Sequence, residues 1–222
     1  MTDPIKVLII DDHQAVIEGY KSILSYPAFA DFNFQITSAL NCESAYNTIC
    51  HPLASFNLVL LDIILPPFEE QKIFSGQDLA SLIKTKLPDA KIIILSSHTE
   101  AFELYNILQT TKPNAFIAKS DFTPQEFITA FNKIMIGEIY HSNLAKQSLK
   151  EFQNKDDSLD AYSRRIISLL NKGIATKNIP SHLNLSISAV DKRKSQIKTF
   201  FNIEKGNDED IIREARKRGF IQ

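Results

Sequence analysis

The chain has 222 residues, 44% of them apolar, and a formal net charge of −1. That length suits two domains, and the apolar share supports a buried core. No apolar run approaches the about 20 residues needed to span a bilayer, and the first ten residues lack the basic flank of a secretory signal, so a cytoplasmic protein without a membrane partner is expected.

In chain order, four short apolar runs in the first 120 residues each end on a polar residue. Ile5–Ile10 runs into Asp11 and Asp12, Leu58–Leu61 into Asp62, Ile92–Leu95 into Ser96, and Ala115–Ala118 into Lys119. Such runs read as strands buried on both faces of a parallel sheet, with Phe34–Ser38 as a weaker fifth strand. Helical patterns alternate with them. His13–Leu24 puts Val16, Tyr20, Ile23 and Leu24 on one face, and Glu43–Ile49 is stopped by Pro52. Gln77–Leu87 follows a capping Ser75 and ends at Pro88. A further helix fits Glu100–Leu108, and Thr123 caps a last one with Pro124 at its first position. This alternation predicts a doubly wound α/β domain over residues 1–136, with right-handed crossovers.

Gly137 closes that unit, and residues 137–157, with the charged stretch Lys150–Asp157, read as a linker. Residues 158–222 then read as a small all-α domain of four helices. The first ends at Gly173, the second spans Thr176–Leu183 and is followed by Asn184, the third runs from Ser186 or Ser188 to about Phe201, and the fourth covers Asp208–Lys217. A short helix, a tight turn and a longer helix make a helix-turn-helix pattern. Charge divides along the same boundary. Residues 158–222 hold 13 Lys and Arg against 7 Asp and Glu, a net of +6; residues 1–157 hold 12 against 19, a net of −7. The basic part is the candidate for a polyanionic partner. Cys42 and Cys50 share one predicted helix and have neither zinc-ligand spacing nor a disulfide framework.

Ligands of open parallel sheets bind beyond the carboxyl ends of the strands. One sheet edge should therefore gather Asp11, Asp12, Asp62, Ser96 and Lys119. Magnesium takes oxygen ligands and leaves positions for water and phosphate, which fits two or three carboxylates. A cation that neutralises a phosphoryl group lets a carboxylate form an acyl phosphate, and Lys119 and Ser96 can hold the phosphoryl oxygens.

Residues 5–136 resemble the receiver domain of two-component response regulators. The matching pieces are IKVLIIDDH, LVLLDIILP, IIILSSH and AFIAKS. The resemblance implies a flavodoxin/CheY-like sheet of five parallel strands in the order 2-1-3-4-5. It implies Asp62 as phosphoacceptor, Asp11, Asp12 and Asp62 with the backbone carbonyl of Ile64 as Mg2+ ligands, and Ser96, Phe116 and Lys119 as the phosphate switch. It also implies a sensor histidine kinase as phosphodonor and no enzymatic activity beyond the domain's own phosphoryl transfer and dephosphorylation. One departure is Pro67–Phe74, a loop longer than the family's usual turn, which carries Glu69, Glu70 and Lys72 beside the acceptor. It reads as a tolerated insertion, a shield over Asp62 or a determinant of kinase choice.

Residues 158–203 resemble the LuxR/NarL/FixJ-type helix-turn-helix domain and follow its frame without a gap, with Gly173, Ile179, Leu183, Ala189 and Val190 on expected positions. The resemblance implies double-stranded DNA as partner and a homodimer when active. An α-helix fits the major groove, so Lys177, Ser188, Ala189, Lys192, Arg193, Lys194 and Lys198 are the candidate DNA contacts. Arg193 suits guanine and the lysines suit phosphates. Family members often carry lysine where Ser188 and Asp191 stand, so the operator is not inherited; Asp191 either repels phosphate or accepts from a cytosine amino group. The whole chain thus reads as a phosphorylation-regulated, DNA-binding regulator of transcription. The alternatives are a Mg-dependent aspartyl phosphatase, disfavoured because Ile64 stands where such enzymes usually place a second acid, and a phosphorylation-independent DNA- or protein-binding adaptor.

Overall fold

The computed structural model describes residues 3–51, 53–97, 101–153, 159–218 and 220–221. Pro52 and His98, singled out by sequence, lie outside the described residues, as does the start of the helix expected from Glu100. The chain divides into two compact units. One comprises residues 1–97 and 111–144; the other comprises 98–110 and 145–222.

The first unit is a parallel sheet with helices on both faces. Its strands are β1 (Ile5–Ile10), β2 (Phe34–Ala39), β3 (Leu58–Asp62), β4 (Lys91–Ser96), β5 (Ala115–Ala118) and β6 (Tyr140–His141), in the order β2-β1-β3-β4-β5-β6. The expected order of five strands is present, and β6 adds a sixth, parallel to β5. Every residue of β3 and β5 is buried, as strands covered on both faces require. The helices are α1 (Gln14–Leu24), α2 (Cys42–Ile49), α3 (Gly76–Lys86) and α5 (Pro124–Met135), with α4 (Ala101–Thr111) between β4 and β5 in the chain. One sheet face supplies Val7, Ile9, Leu58, Leu60, Ile93, Leu95, Ala115 and Ile117 to a core shared with α1 and α5. Phe29 fills its centre, edge-on to Phe34, Phe127 and Phe131.

Local signals explain the helix starts. Asn41 and Ser44 form a reciprocal capping box at α2, and the Thr123 hydroxyl accepts from Glu126 N at α5. Ser75 caps α3 by position only; its hydroxyl bonds the Asp78 carboxylate, which also accepts from Phe74 N.

The segment expected as a linker, residues 137–157, carries two elements among its described residues. Tyr140 and His141 form β6, and α6 spans Asn143–Gln153. Two residues are too few to show a strand period, so β6 rests on tertiary contacts. Tyr140 is buried and its hydroxyl donates to Glu126, while Ser142 N donates to Phe116 O and the Ser142 hydroxyl accepts from Ala118 N.

The second unit holds the α4 segment 101–110 with the C-terminal helices α7 (Ala161–Asn171), α8 (Ile179–Leu183), α9 (Ile187–Phe200) and α10 (Asp208–Lys217). The segment expected as one helix over Thr176–Leu183 is a 3-10 turn, Thr176–Asn178, leading into α8, with Pro180 in the first turn. Gly173 (φ +77°) ends α7, and Asn184 (φ +52°) makes the left-handed turn between α8 and α9. Ile166, Ile167, Leu170, Ile179, Leu183, Val190, Ile197, Phe201 and Ile211 form the core, and Tyr105 of α4 belongs to it.

Lys194 joins α9 to α10 through Asp208 and also donates to the Thr176 hydroxyl. Burial alone would raise the Asp208 carboxyl, but the hydrogen bonds from Lys194 and Thr176 outweigh it and hold it below the ordinary value. A carboxyl depressed on folding stabilises above the unfolded value, about 3.9, and that contribution fades as pH falls through the lower folded value. Asp208→Asn should therefore cost about 1 kcal/mol at pH 7, a figure already discounted for the partial exposure of the pair. Melting curves should show the gap to wild type closing below about pH 4.

Candidate functional site

The parallel registers place five polar side chains along one sheet edge. Asp11 follows β1, Asp62 ends β3 opposite Leu95, and Ser96 ends β4 opposite Ala118. Lys119 N donates to Ser96 O (2.7 Å), which sets where the lysine leaves β5. The Lys119 ammonium then reaches back across the edge and donates to Asp11 Oδ2 (3.0 Å) and Asp62 Oδ2 (2.6 Å). Both carboxylates are almost fully buried, 1% and 3% exposed. Their second oxygens are also held: Asp11 Oδ1 accepts from His13 N (3.0 Å) and Asp62 Oδ1 from Ile64 N (3.2 Å).

The electrostatics follow from that geometry. Burial pushes the Asp62 carboxyl up, and the hydrogen bond and charge of Lys119 offset this only in part. Burial would lower Lys119, but its bonds to Asp62 and Asp11 prevail and the ammonium is held above its ordinary value. Asp12 is exposed at the rim, and its Oδ1 lies 2.7 Å from His13 Nδ1. Ligand atoms of Asp11, Asp12 and His13 all lie within 4.8 Å of one another. The pocket is thus an acidic cup with hard oxygen donors and one cation, suited to a divalent ion and to an incoming phosphoryl group. Ser96 is fully buried at its wall. Phe116 is fully buried in β5, one residue out of phase with the face that meets α1 and α5.

Gly76 is the residue whose role sequence reading missed. Its N–H donates to Ile63 O, and a Cβ built on it would lie 2.0 Å from Asp62 O. The β3–α3 connection can approach the acceptor strand only without a side chain there. The glycine itself was the signal. The inserted loop is likewise built rather than loose. Phe68 and Ile73 bridge antiparallel through two backbone hydrogen bonds (2.7 and 3.1 Å), Ile73 is buried, and the Phe68 ring packs on Tyr46. Glu69, Glu70 and Lys72 are exposed on it.

A separate cleft of about 480 Å³ lies beside Lys6, Gln35, Thr37, Thr48 and His51. It sits at the start of β1, the opposite end from Asp11, and no acid lines it.

In the second unit, α9 sorts the candidate contacts by face. Ser188 and Lys192 are exposed, as is Lys177 before α8; Ala189 is half-buried. The other three have partners within the unit. Arg193 Nε donates to Asp160 Oδ2 (3.1 Å) while its guanidinium stacks on Tyr162, Lys194 bonds Asp208 and Thr176, and Lys198 donates to Gly206 O (2.6 Å).

Comparison with known proteins finds relatives along the whole chain. Residues 7–132 match the family described as response regulator receiver domain. The chain is 26% identical to the oxygen regulatory protein NreC of Staphylococcus epidermidis, over 98% of this chain and 99% of that one. It is 25% identical to NreC of Staphylococcus haemolyticus, over 90% and 92%. Among solved structures, RcsB from Salmonella enterica serovar Typhimurium, bound to promoter rprA with the phosphomimetic BeF3−, matches with a TM-score of 0.69 at 19% identity, covering 96% of this chain and 98% of that one. A second Salmonella typhimurium RcsB structure matches with a TM-score of 0.67 at 18% identity, over 97% and 98%.

Gly76→Ala tests the close approach. It should destabilise by about 1–3 kcal/mol through overpacking, read as a lower urea midpoint. Gly19→Ala, where a Cβ meets nothing within 4 Å in the middle of α1, should instead stabilise by about 0.5–1 kcal/mol.

Proposed function

The chain belongs to the response regulator receiver family, and on that premise we propose that it is a phosphorylation-gated, DNA-binding regulator of transcription of the LuxR/NarL/FixJ type, in a two-component signalling system. The observation that carries this reading is the single ammonium of Lys119 shared by two buried carboxylates from different strands. That arrangement sets the charge of Lys119 against the burial that pushes the Asp62 carboxyl up, and leaves the cup short of positive charge.

Asp62 is the nucleophile. Its carboxylate oxygen forms a bond to phosphorus as the bond to the imidazole nitrogen of a sensor kinase phosphohistidine breaks, and the released imidazole takes up a proton. Asp11, Asp12 and Asp62, with the Ile64 carbonyl, would hold Mg2+, whose charge offsets that of the phosphoryl oxygens. Asp11 and Asp12 bring carboxylate oxygens together with Asp12 open to solvent, and Asp62 shares the Lys119 ammonium with Asp11, a donor chemistry that suits that ion. Once the acyl phosphate forms, Lys119 and the Ser96 hydroxyl bind its oxygens, and Phe116 repacks with Ser96.

The helix that follows Ser96 in the chain carries the signal. In the second unit the Arg164 guanidinium lies 4.6 Å from the centre of the Tyr105 ring of α4. Arg164 is buried, yet its Nε donates to no partner among the described residues. A buried donor left unmade is costly, so this contact is a poised one that a shift of α4 releases. Release lets two copies pair and bring two α9 helices to half-sites about 34 Å apart, one DNA turn. Lys177 and Lys192 face outward, and Lys177 supplies a phosphate contact. The two-part likeness to RcsB, a protein seen on promoter DNA, supports DNA as the target.

Phosphotransfer from labelled acetyl phosphate with Mg2+ tests the acceptor. Wild type should incorporate label and shift its DNA affinity in a gel-shift assay; Asp62→Asn should do neither, and equal labelling of the variant would reject the assignment. Tyr105→Ala tests the coupling. It should retain labelling on Asp62 while shrinking the difference in DNA affinity between the phosphorylated and unphosphorylated forms several-fold.

A further inference from the structure

The exposed positions of α9 are Ile187, Ser188, Asp191, Lys192, Ser195, Gln196 and Thr199, and Ser188, Asp191, Lys192, Ser195 and Thr199 among them form a stripe at helical spacing. The other cations of the helix are spent elsewhere. Arg193, Lys194 and Lys198 each donate to a partner inside the unit, as described above. The exposed side chains of α9 are therefore neutral in sum, one carboxylate beside one ammonium amid hydroxyls, the Gln196 amide and Ile187. The Asp191 carboxylate has no hydrogen-bond or ion-pair partner among the described residues; only its backbone carbonyl is used, by the Ser195 hydroxyl.

We propose that Asp191 and Lys192 read one C·G base pair in the major groove, Asp191 accepting from the cytosine N4 amino group and Lys192 donating to guanine O6 or N7. This rests on the DNA-binding reading and adds the base preference to it. The chemistry is selective. Cytosine is the pyrimidine that offers a donor in the major groove, where thymine offers an acceptor oxygen and a methyl group. A carboxylate only accepts, so it bonds cytosine and repels thymine O4. An exposed carboxylate on a helix that must approach phosphates is costly unless a base donor meets it, and this stripe has no surplus of cations to mask it. Adjacent acceptor and donor match the adjacent donor and acceptor of a C·G edge.

Selection from a randomised duplex library with the full-length chain, with and without acetyl phosphate and Mg2+, tests the assignment. Wild type should enrich C·G at one fixed position and bind the T·A substitution there roughly ten- to hundred-fold more weakly. Asp191→Ala should lose that preference alone, with the slope of affinity on salt unchanged. Asp191→Asn, which keeps the side-chain shape, should move the preference toward adenine, whose N6 and N7 match an amide. If both variants enrich the same bases as wild type, or bind every duplex uniformly more tightly, Asp191 only repels phosphate and the inference falls while DNA binding stands. If wild type binds no duplex in a salt-dependent way, the proposed function falls, and this inference with it.

Discussion

Everything in the first unit converges on one electrostatic constraint: two buried carboxylates share a single ammonium. Asp11 and Asp62 come from β1 and β3, and Lys119 from the end of β5, so the contact ties three strands at their tips. Two carboxylates buried together without a cation would force one to take up a proton. Lys119 opposes this at Asp62 only in part, bringing one positive charge against two carboxylates, and Asp12 adds another acid at the rim. The residual negative charge suits the cup to a divalent cation.

The sheet edge needs more than its charges. Gly76 brings the β3–α3 connection against the backbone of Asp62, and the Phe68–Ile73 bridge closes the inserted loop upon itself. Backbone shape thus holds Asp62 in place while the charge of Lys119 tunes its carboxyl. In the second unit the balance is reversed. The core is apolar, but Arg164 is buried against Tyr105 with its Nε unpartnered among the described residues.

The basic helix shows how a charge run divides its labour. Arg193, Lys194 and Lys198 hold Asp160, Asp208 and the Gly206 carbonyl, so they stiffen the helical unit rather than present charge. The outward stripe is left to hydroxyls, Asp191 and Lys192. Such a face gives up electrostatic attraction and relies on directional hydrogen bonds, which favours discrimination between bases over tight binding to any duplex.

The chain order of apolar runs was enough to reveal the sheet and the gathering of Asp11, Asp12, Asp62, Ser96 and Lys119, because a parallel strand delivers whatever follows it to the same edge, whatever its side-chain rotamers. The helix start at Pro124 and the limits Asp208–Lys217 were equally legible, since such signals are local. Other features were written only in three dimensions. β6 has too few residues for a period and exists through Tyr140 and Ser142 docking on β5 and α5. The place of Phe116 in the core, the membership of Tyr105 in the second unit, and the inward turn of Lys194 depend on residues distant in the chain. Composition counts a lysine as a charge. Only the packing of α9 against α10 determines whether that charge meets Asp208 or the solvent.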